Sequence, residues 1–296
     1  MTVVEKKVVR GVEEFKMEVK IISKTDEKVA LEFSETNVAE VNTIRRMIVS
    51  EVPTMAIEEV EFIKNDSALF DEFLANRLGL IPLVTDLNTY NEVESCKCDG
   101  KGCPLCRVEF TLNAKGPGVV YSSQLESTDE TVRPVFGDMP IVKLVEGQEL
   151  ILNAIAIMGR GRTHMKFAPG IAYYTSKPIF KINNDVKKIE QFRDQYPEQV
   201  FKDGKFDEVA LLEGGLYDAC EGVNDELLKI DYEEDKFLFF VESFGQLNAM
   251  DMVIAALEKF NYKVVEFEKA MKGDNISEKV IKDAVNAAKK VATLNK

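Results

Sequence analysis

Apolar and polar residues alternate near the start of the chain. Within residues 15–22 (FKMEVKII), Phe15, Met17, Val19 and Ile21 fall on one side and charged residues fall between them. This period of two predicts an antiparallel strand with one buried face. A polar turn at residues 23–27 is followed by a second alternation over residues 29–33, so the sequence predicts a β-hairpin.

Residues 37–53 instead repeat apolar side chains every three or four positions, which predicts an amphipathic helix that ends at Pro53. At about 100° per residue, Arg45 falls inside the apolar stripe and Arg46 falls outside it. A guanidinium on a buried stripe needs a polar partner. Two readings stay open: Arg45 lies at the rim with its head in water, or the pair lies at a protein interface.

The remaining pattern combines strands and helices, which predicts an α+β fold. A helix is predicted over residues 67–78, and strands over 108–113, 119–125, 141–145, 149–158 and 236–243. The polar segment after about residue 180 looks like a small separate module or a surface insertion. A long amphipathic helix follows over residues 246–267, with Leu247, Met250, Ile254, Leu257, Phe260 and Val264 on one side. Residues 276–292 form a helix-prone tail.

The composition, 45% apolar and 30% charged, is ordinary for a soluble globular protein. The formal net charge of −13 repels phosphate backbones, so little or no direct nucleic-acid contact is expected. Neither a membrane span nor an apolar signal core is visible in the sequence, and we expect a cytoplasmic protein.

Four of the five cysteines fall within eleven residues. Cys96, Cys98, Cys103 and Cys106 have the spacing C-x-C-x4-C-x2-C, and glycines, among them Gly100, lie between them. Four thiolates can fill the tetrahedral shell of a structural Zn²⁺ ion and leave no position for a reactive water. A redox-sensitive thiol or disulfide loop and an iron site, as in a small electron-transfer protein, remain alternatives. Cys220 stands alone and is expected to be a small buried side chain.

A second group of polar residues lies in GRGRTHMKFAPG, residues 159–170. On an extended chain Arg160, Arg162, His164 and Lys166 share one face, which could bind phosphate, contact a partner protein or simply be solvated. A zinc-dependent enzyme that uses His164 is an alternative hypothesis, but no nucleophile stands near it in the sequence. Because Gly-rich phosphate loops and compact Asp clusters are also missing, we expect no catalytic residues on this chain.

Several motifs together resemble one family, that of the D subunit of archaeal RNA polymerase. They are NTIRRMIVSEVPTMAIEEVEF, DEFLANRLGLIPL, GRGRTHMKFAPG and ESFGQLNAMDMVIAALEKF, and they occur in the family's order. The chain is similar, more distantly, to the third-largest subunit of eukaryotic polymerase II and to the N-terminal domain of the bacterial α subunit. The resemblance covers about residues 10–175 and 236–270.

The resemblance implies a domain layout. A split dimerisation domain, built of an antiparallel sheet plus helices, would use residues 1–50, a connecting strand at 170–181, and residues 228–296. A mainly-β insertion domain with the four-cysteine loop would span residues 51–169. Residues 182–227 would form a degenerate ferredoxin-like module without a [4Fe-4S] cluster, because a cluster needs four cysteines and this segment holds only Cys220.

The resemblance also implies partners and roles. The chain would form a heterodimer with the small L subunit, and this pair would recruit the N subunit and the second-largest catalytic subunit. Nucleotidyl transfer would belong to the whole complex. The four-cysteine loop corresponds to a zinc loop of eukaryotic relatives, although its central spacer is one residue longer here. Interface residues would be Arg45, Arg46, Arg160, Arg162, Leu247, Met250, Ile254 and Leu257.

Overall fold

The computed structural model describes residues 17–99 and 101–272. Phe15, Gly100 and the helix-prone tail at 276–292 lie outside the described residues. Within them the chain forms twelve strands and five α-helices, and the long strands of the central sheet pair antiparallel. The predicted mixture of helices with antiparallel sheet is therefore confirmed.

The first two strands, β1 (Glu18–Lys24) and β2 (Lys28–Ser34), form the predicted hairpin. In the turn, the Thr25 amide donates to the Lys28 carbonyl at 2.8 Å. β2 alternates between buried and accessible residues as expected, but every residue of β1 is exposed. The prediction of a half-buried first strand is wrong for these residues. β1 lies at the edge of a sheet with the strand order β1, β2, residues 228–243 and residues 170–182. Val19 and Ile21 are more than half exposed.

The first helix, α1 (Val38–Glu51), ends just before Pro53, as predicted. The second helix, α2 (Asp71–Gly79), begins four residues later than predicted. The reason is a local turn in which Asn65 Oδ1 accepts from the Ser67 amide at 3.0 Å and Asn65 Nδ2 donates to the Leu69 carbonyl at 2.9 Å. Such side-chain to backbone bonds compete with helix formation.

The central sheet has the order β3-β8-β4-β6 and contains β3 (Pro53–Asn65), β4 (Arg107–Lys115), β6 (Glu126–Ser127) and β8 (Glu149–Arg160). β3 was not predicted, because its first five residues are all buried and show no alternation. β5 (Gly118–Tyr121) ends sooner than predicted and pairs with β7 (Pro140–Leu144). The sheet's buried apolar face packs against α2 residues and forms one large core.

The strand β9 (Gly170–Ile182) leads into the polar segment, and β12 (Leu228–Ser243) leaves it. Between them lie α3 (Val186–Phe192), β10 (Phe201–Lys202), β11 (Lys205–Phe206) and α4 (Glu208–Leu212). These elements share an apolar core of their own, which includes the fully buried Cys220. The predicted burial of Cys220 is confirmed, whereas the ferredoxin-like character of the segment stays a prediction.

The contacts divide the described chain into two compact units. One contains residues 32–38 and 174–238 with the first few described residues, and the other contains residues 21–31, 39–173 and 239–272. The last helix, α5 (Ala249–Lys272), belongs to the second unit. Over residues 17–99 and 101–272, no helix combines the length and the apolar character that crossing a bilayer requires.

Candidate metal centre and interaction surfaces

The four cysteines of the loop come together in the structure. The Sγ atoms of Cys96, Cys98, Cys103 and Cys106 all lie within 4.8 Å of one another. The Cys96–Cys103 distance is 3.5 Å, the Cys98–Cys106 distance 3.6 Å and the Cys103–Cys106 distance 3.8 Å. Sulfur ligands at the Zn–S bond length of a tetrahedral site lie about 3.8 Å apart, whereas a disulfide needs about 2.05 Å. The arrangement therefore has the dimensions of a metal shell.

The local backbone explains how the loop closes. Cys96 follows a short 3₁₀ turn at Val93–Ser95, and Cys106 directly precedes β4, so two of the sulfurs are anchored on ordered elements. Gly102 has a φ of +82°, and a Cβ there would lie 2.6 Å from the Arg107 side chain. The Cys103 amide donates to Cys106 Sγ at 3.3 Å. Gly102 and the turn between Cys103 and Cys106 thus help to bring the sulfurs together.

The thiols of the loop differ in their acidity. Burial raises the pKa of the Cys106 thiol to about 12. Burial opposes ionisation of Cys98 as well, but hydrogen bonds from neighbouring thiols outweigh it and lower its pKa to about 7. One loop therefore combines a thiol that ionises readily with one that resists ionisation. A divalent cation held by the four sulfurs would stabilise all of them as thiolates. The cluster could hold a metal ion such as zinc.

A second site is a cluster of six charged side chains, here called the ion-pair cluster: Glu51, Glu92, Arg160, Arg162, Lys259 and Lys263. Glu92 accepts two hydrogen bonds from Arg160, at 2.6 and 2.8 Å, and pairs with Lys259 at 3.2 Å. Glu51 pairs with Arg160 at 3.2 Å and with Lys263 at 2.5 Å, and Arg162 lies 3.9 Å away. The cluster joins the end of α1, the segment before the cysteine loop, the end of β8 and α5.

Both carboxylates of the ion-pair cluster are shielded from water. The side chains of Glu51 and Glu92 are only 7% and 15% exposed. Burial alone would raise the pKa of each carboxyl group, but the cations outweigh it: Lys263 lowers the pKa of Glu51, and Arg160 lowers that of Glu92. Both groups therefore stay ionised at neutral pH and hold their partners in place.

The predicted common face of residues 159–170 does not form. β8 ends at Arg160, and residues 165–167 form a 3₁₀ turn, so the extended chain that the expectation required is absent here. Arg160 turns into the ion-pair cluster, and the Lys166 ammonium pairs with Glu58 at 2.5 Å and donates to the Ile57 carbonyl at 2.9 Å. His164 Nδ1 accepts from the Lys166 amide at 3.1 Å and caps this turn.

The two arginines of α1 differ as their positions predicted. Arg45 is half-buried, and its Nε donates to Asn42 Oδ1 at 2.9 Å, whereas Arg46 is exposed. Arg45 therefore has a local partner at the rim of the apolar stripe. Whether the pair also contacts another protein stays a prediction.

The apolar residues of α5 lie on two different sides. Ala249, Met252, Val253 and Ala256 are buried within the chain. In the predicted stripe, Leu247, Met250 and Ile254 are half-buried and Leu257 is 46% exposed. The exposed side continues toward the end of the helix through Phe260, Val264, Phe267 and Met271. We call the residues Leu257, Phe260, Val264, Phe267 and Met271 the outer face of α5.

The cysteine loop was predictable from the sequence, but most of the ion-pair cluster was not. Sequence analysis did not single out four members of the cluster, because isolated charges in polar or helical segments look like ordinary solvated residues. These members are Glu51, Glu92, Lys259 and Lys263. One signal existed for Glu51, which stands between the apolar residues of the α1 stripe and Pro53.

Comparison with known proteins defines the class. The model of the "RNA polymerase Rpb3/RpoA insert domain" family matches residues 55–169, which contain the cysteine loop and all of the central sheet except the first two residues of β3. The second unit therefore carries the insert domain of an α-like RNA polymerase subunit.

Full-length relatives then narrow the class to one family. The chain is 39% identical over 257 residues to DNA-directed RNA polymerase subunit Rpo3 of Methanosarcina mazei, covering 84% of this chain and 96% of that protein. It is 36% identical over 256 residues to subunit Rpo3 of Pyrococcus horikoshii, covering 85% and 96%. For subunit Rpo3 of Archaeoglobus fulgidus the identity is 33% over 255 residues, covering 85% and 97%. The chain belongs to the family of DNA-directed RNA polymerase subunit Rpo3, which is the archaeal D-subunit family identified from its motifs.

Proposed function

We propose that this chain is a non-catalytic assembly subunit of a DNA-directed RNA polymerase. It forms an α-like heterodimer with the L subunit, and the heterodimer recruits the N subunit and the second-largest catalytic subunit. The observation that carries this proposal is the outer face of α5, whose five apolar side chains are between 42% and 74% exposed in the free chain. Family membership supplies the polymerase context, because the relatives are named as polymerase subunits.

The geometry of α5 supports a helix-to-helix contact. The outer face repeats at three- and four-residue intervals over residues 257–271, which gives a continuous seam along four turns. Contiguous exposed apolar seams of this kind mark interaction sites on proteins that fold as part of an assembly. The exposed strand β1 adds Val19 and Ile21, each more than half exposed, as a second apolar surface that a partner would cover.

The proposal includes a structural Zn²⁺ ion held by Cys96, Cys98, Cys103 and Cys106. When bound, the ion would supply the cross-link that a short loop cannot obtain from an apolar core. Metal analysis of the purified chain tests this: one zinc per chain and no visible absorption support it. Iron with visible absorption would instead favour the electron-transfer alternative, and oxidised thiols would favour a redox loop.

Two arginine groups are proposed as contacts to the large subunits. Arg46 is exposed on α1, and the side chain of Arg162 is 58% exposed beside the ion-pair cluster. Arg45 and Arg160 are bound within the chain by Asn42 and by the two glutamates. The exposed arginines would therefore make direct contacts, while Arg45 and Arg160 would hold the surrounding surface in shape.

The experiment is co-expression with the L subunit and analysis of the complex by size-exclusion chromatography. We expect a stable 1:1 heterodimer, and we expect the double variant Leu257→Lys/Val264→Lys to abolish it because two ammonium groups would be buried on one seam. The control is Tyr262→Lys, which lies about 140° around the helix from Leu257 and leaves the outer face unchanged. A heterodimer that survives the double variant, or a chain with no affinity for the L subunit, would contradict the proposal.

A further inference from the structure

A surface pocket of about 410 Å³ lies in the second unit, apart from the cysteine loop and the outer face of α5. Its walls come from the segment after α2, the loops before β7 and β9, and the segment between β12 and α5. Six of its lining residues define its character: Leu80, Phe136, Met139, Met165, Phe244 and Gln246. The volume is in the range of sites that hold a small molecule or a large side chain.

The rim of this pocket is apolar and uncovered. Leu80, Phe136, Met165 and Phe244 are between 40% and 62% exposed. Two of the lining residues are methionines, whose flexible thioethers adapt to aromatic rings and make favourable sulfur–ring contacts. The pocket therefore suits a flat aromatic group better than a charged or strongly hydrated one.

One polar side chain in the lining has an unused acceptor. Gln246 is 3% exposed, its backbone carbonyl accepts from the Thr85 amide at 3.0 Å, and its Nε2 donates to Thr54 Oγ1 at 3.3 Å. Its Oε1 is buried and has no hydrogen-bond partner among the residues that the structure describes. A buried acceptor left without a donor is costly, so an occupant that supplies one is favoured. The last torsion of glutamine is soft, so the amide can turn toward such a donor and exchange its 3.3 Å bond to Thr54 Oγ1 for the new one.

The neighbouring cation does not fill this role. The Lys166 ammonium also lines the pocket, but it is paired with Glu58 and bound to the Ile57 carbonyl. The unmet requirement is therefore one donor beside an apolar surface. An indole ring meets it, because its N–H only donates and brings no acceptor that would need a partner of its own. A phenol would bring acceptor lone pairs as well.

We propose that this pocket binds the indole side chain of a tryptophan from a partner polypeptide, with the indole N–H donating to Gln246 Oε1. The chain itself contains no tryptophan, so a second copy of it cannot supply the ring. The partner presents the tryptophan at its surface, and the ring enters between Phe136, Met165 and Phe244. The pocket shares no lining residue with the outer face of α5, which is the face proposed for the L subunit.

The test uses the full chain labelled with ¹³C at its methionine methyl groups and two ligands, N-acetyltryptophanamide and its 1-methylindole derivative. The ligands differ only at the indole nitrogen. We expect saturable shifts at Met139 and Met165 with the first ligand, and about fivefold weaker binding of the second, the cost of one lost hydrogen bond. In Gln246→Met, which keeps a side chain of similar size, the two ligands should bind equally.

A second pair of variants keeps the test decisive if Gln246→Met fails to fold. Met165→Lys places an ammonium on the exposed rim and should weaken binding at least tenfold, followed at Met139. Met271→Lys makes the same exchange at an exposed methionine on α5, 74% exposed, and should leave binding unchanged. Absence of shifts at Met139 and Met165, or equal binding of both ligands to the unaltered chain, would overturn the proposal.

Discussion

Glu92→Gln is the most direct test of the ion-pair cluster. The substitution keeps the size and shape of the side chain but removes the charge that faces Arg160 and Lys259. In the structure Glu92 accepts two hydrogen bonds from Arg160, at 2.6 and 2.8 Å, and lies 3.2 Å from the Lys259 ammonium. A neutral amide can keep one of these bonds and must give up the other, since its nitrogen is a donor.

The expected loss follows from the burial of the three side chains. Removing one partner of a fully buried ion pair costs about 3–5 kcal/mol. Here the side chains of Glu92, Arg160 and Lys259 are 15%, 25% and 35% exposed, so water partly solvates the two cations. Arg160 also keeps its contact with Glu51. We therefore expect the free energy of unfolding of this unit to fall by about 2 kcal/mol.

Urea unfolding measures the change, and hydrogen exchange of the β8 and α5 amides locates it. Glu94→Gln is the matched control, because it removes the same charge two residues away on an exposed side chain. Its effect should stay within about 0.5 kcal/mol. Lys259→Met combined with Glu92→Gln should cost less than the sum of the single variants, because the two residues are in contact.

Equal effects of Glu92→Gln and Glu94→Gln would refute this expectation. Such a result would mean that water solvates Arg160 and Lys259 well enough that neither cation needs the Glu92 carboxylate. A loss confined to the cysteine loop, with unchanged exchange in α5, would also contradict a cluster that joins these elements.

Acid unfolding, the cysteine loop and α1 offer three further tests. The pKa values of Glu51 and Glu92 lie below the usual 4.5. Their contribution to the free energy of unfolding is therefore complete above pH 4.5 and is lost as the pH falls through the lowered values. The stability of Glu92→Gln should accordingly fall less steeply with acid than that of the unaltered chain. Cys98→Ser should loosen the insert domain, seen as faster proteolysis of residues 91–107, while the L subunit still binds; loss of that binding would contradict this. Arg45→Glu should leave the heterodimer with the L subunit intact and weaken recruitment of the second-largest subunit in a pull-down, and unchanged recruitment would defeat that assignment.

The periodic patterns located most elements but not their surroundings. The periodic patterns predicted four elements close to their observed bounds: β2, α1, β8 and α5. The burial of β1 was predicted wrongly, because alternation identifies the apolar side of a strand and not the group that covers it. β3 was missed for the opposite reason, since its first half is buried on both sides and lacks alternation.

The two parts of the site were predictable to different degrees for a physical reason. The cysteines lie within one loop, and their spacing alone limits the distances that their sulfurs can reach. The ion-pair cluster joins residues far apart in the chain: Glu92 is 68 residues from Arg160 and 167 from Lys259. No local pattern encodes such pairs, so Arg160 was singled out for its charge and its bonds to Glu92 and Glu51 were not predicted.

The ion-pair cluster also helps to hold α5, the helix that carries the outer face. The inner side of the helix begins with the buried residues Ala249, Met252 and Ala256 and continues, at helical spacing, with Lys259 and Lys263, which bind Glu92 and Glu51. Apolar contacts and then ion pairs therefore hold the inner side over more than three turns without any partner. Leu257 and Phe260 of the outer face lie within this part of the helix, so a partner loses little affinity to ordering them. The same charges that looked incidental in the sequence thus help to hold the surface that we propose for the L subunit.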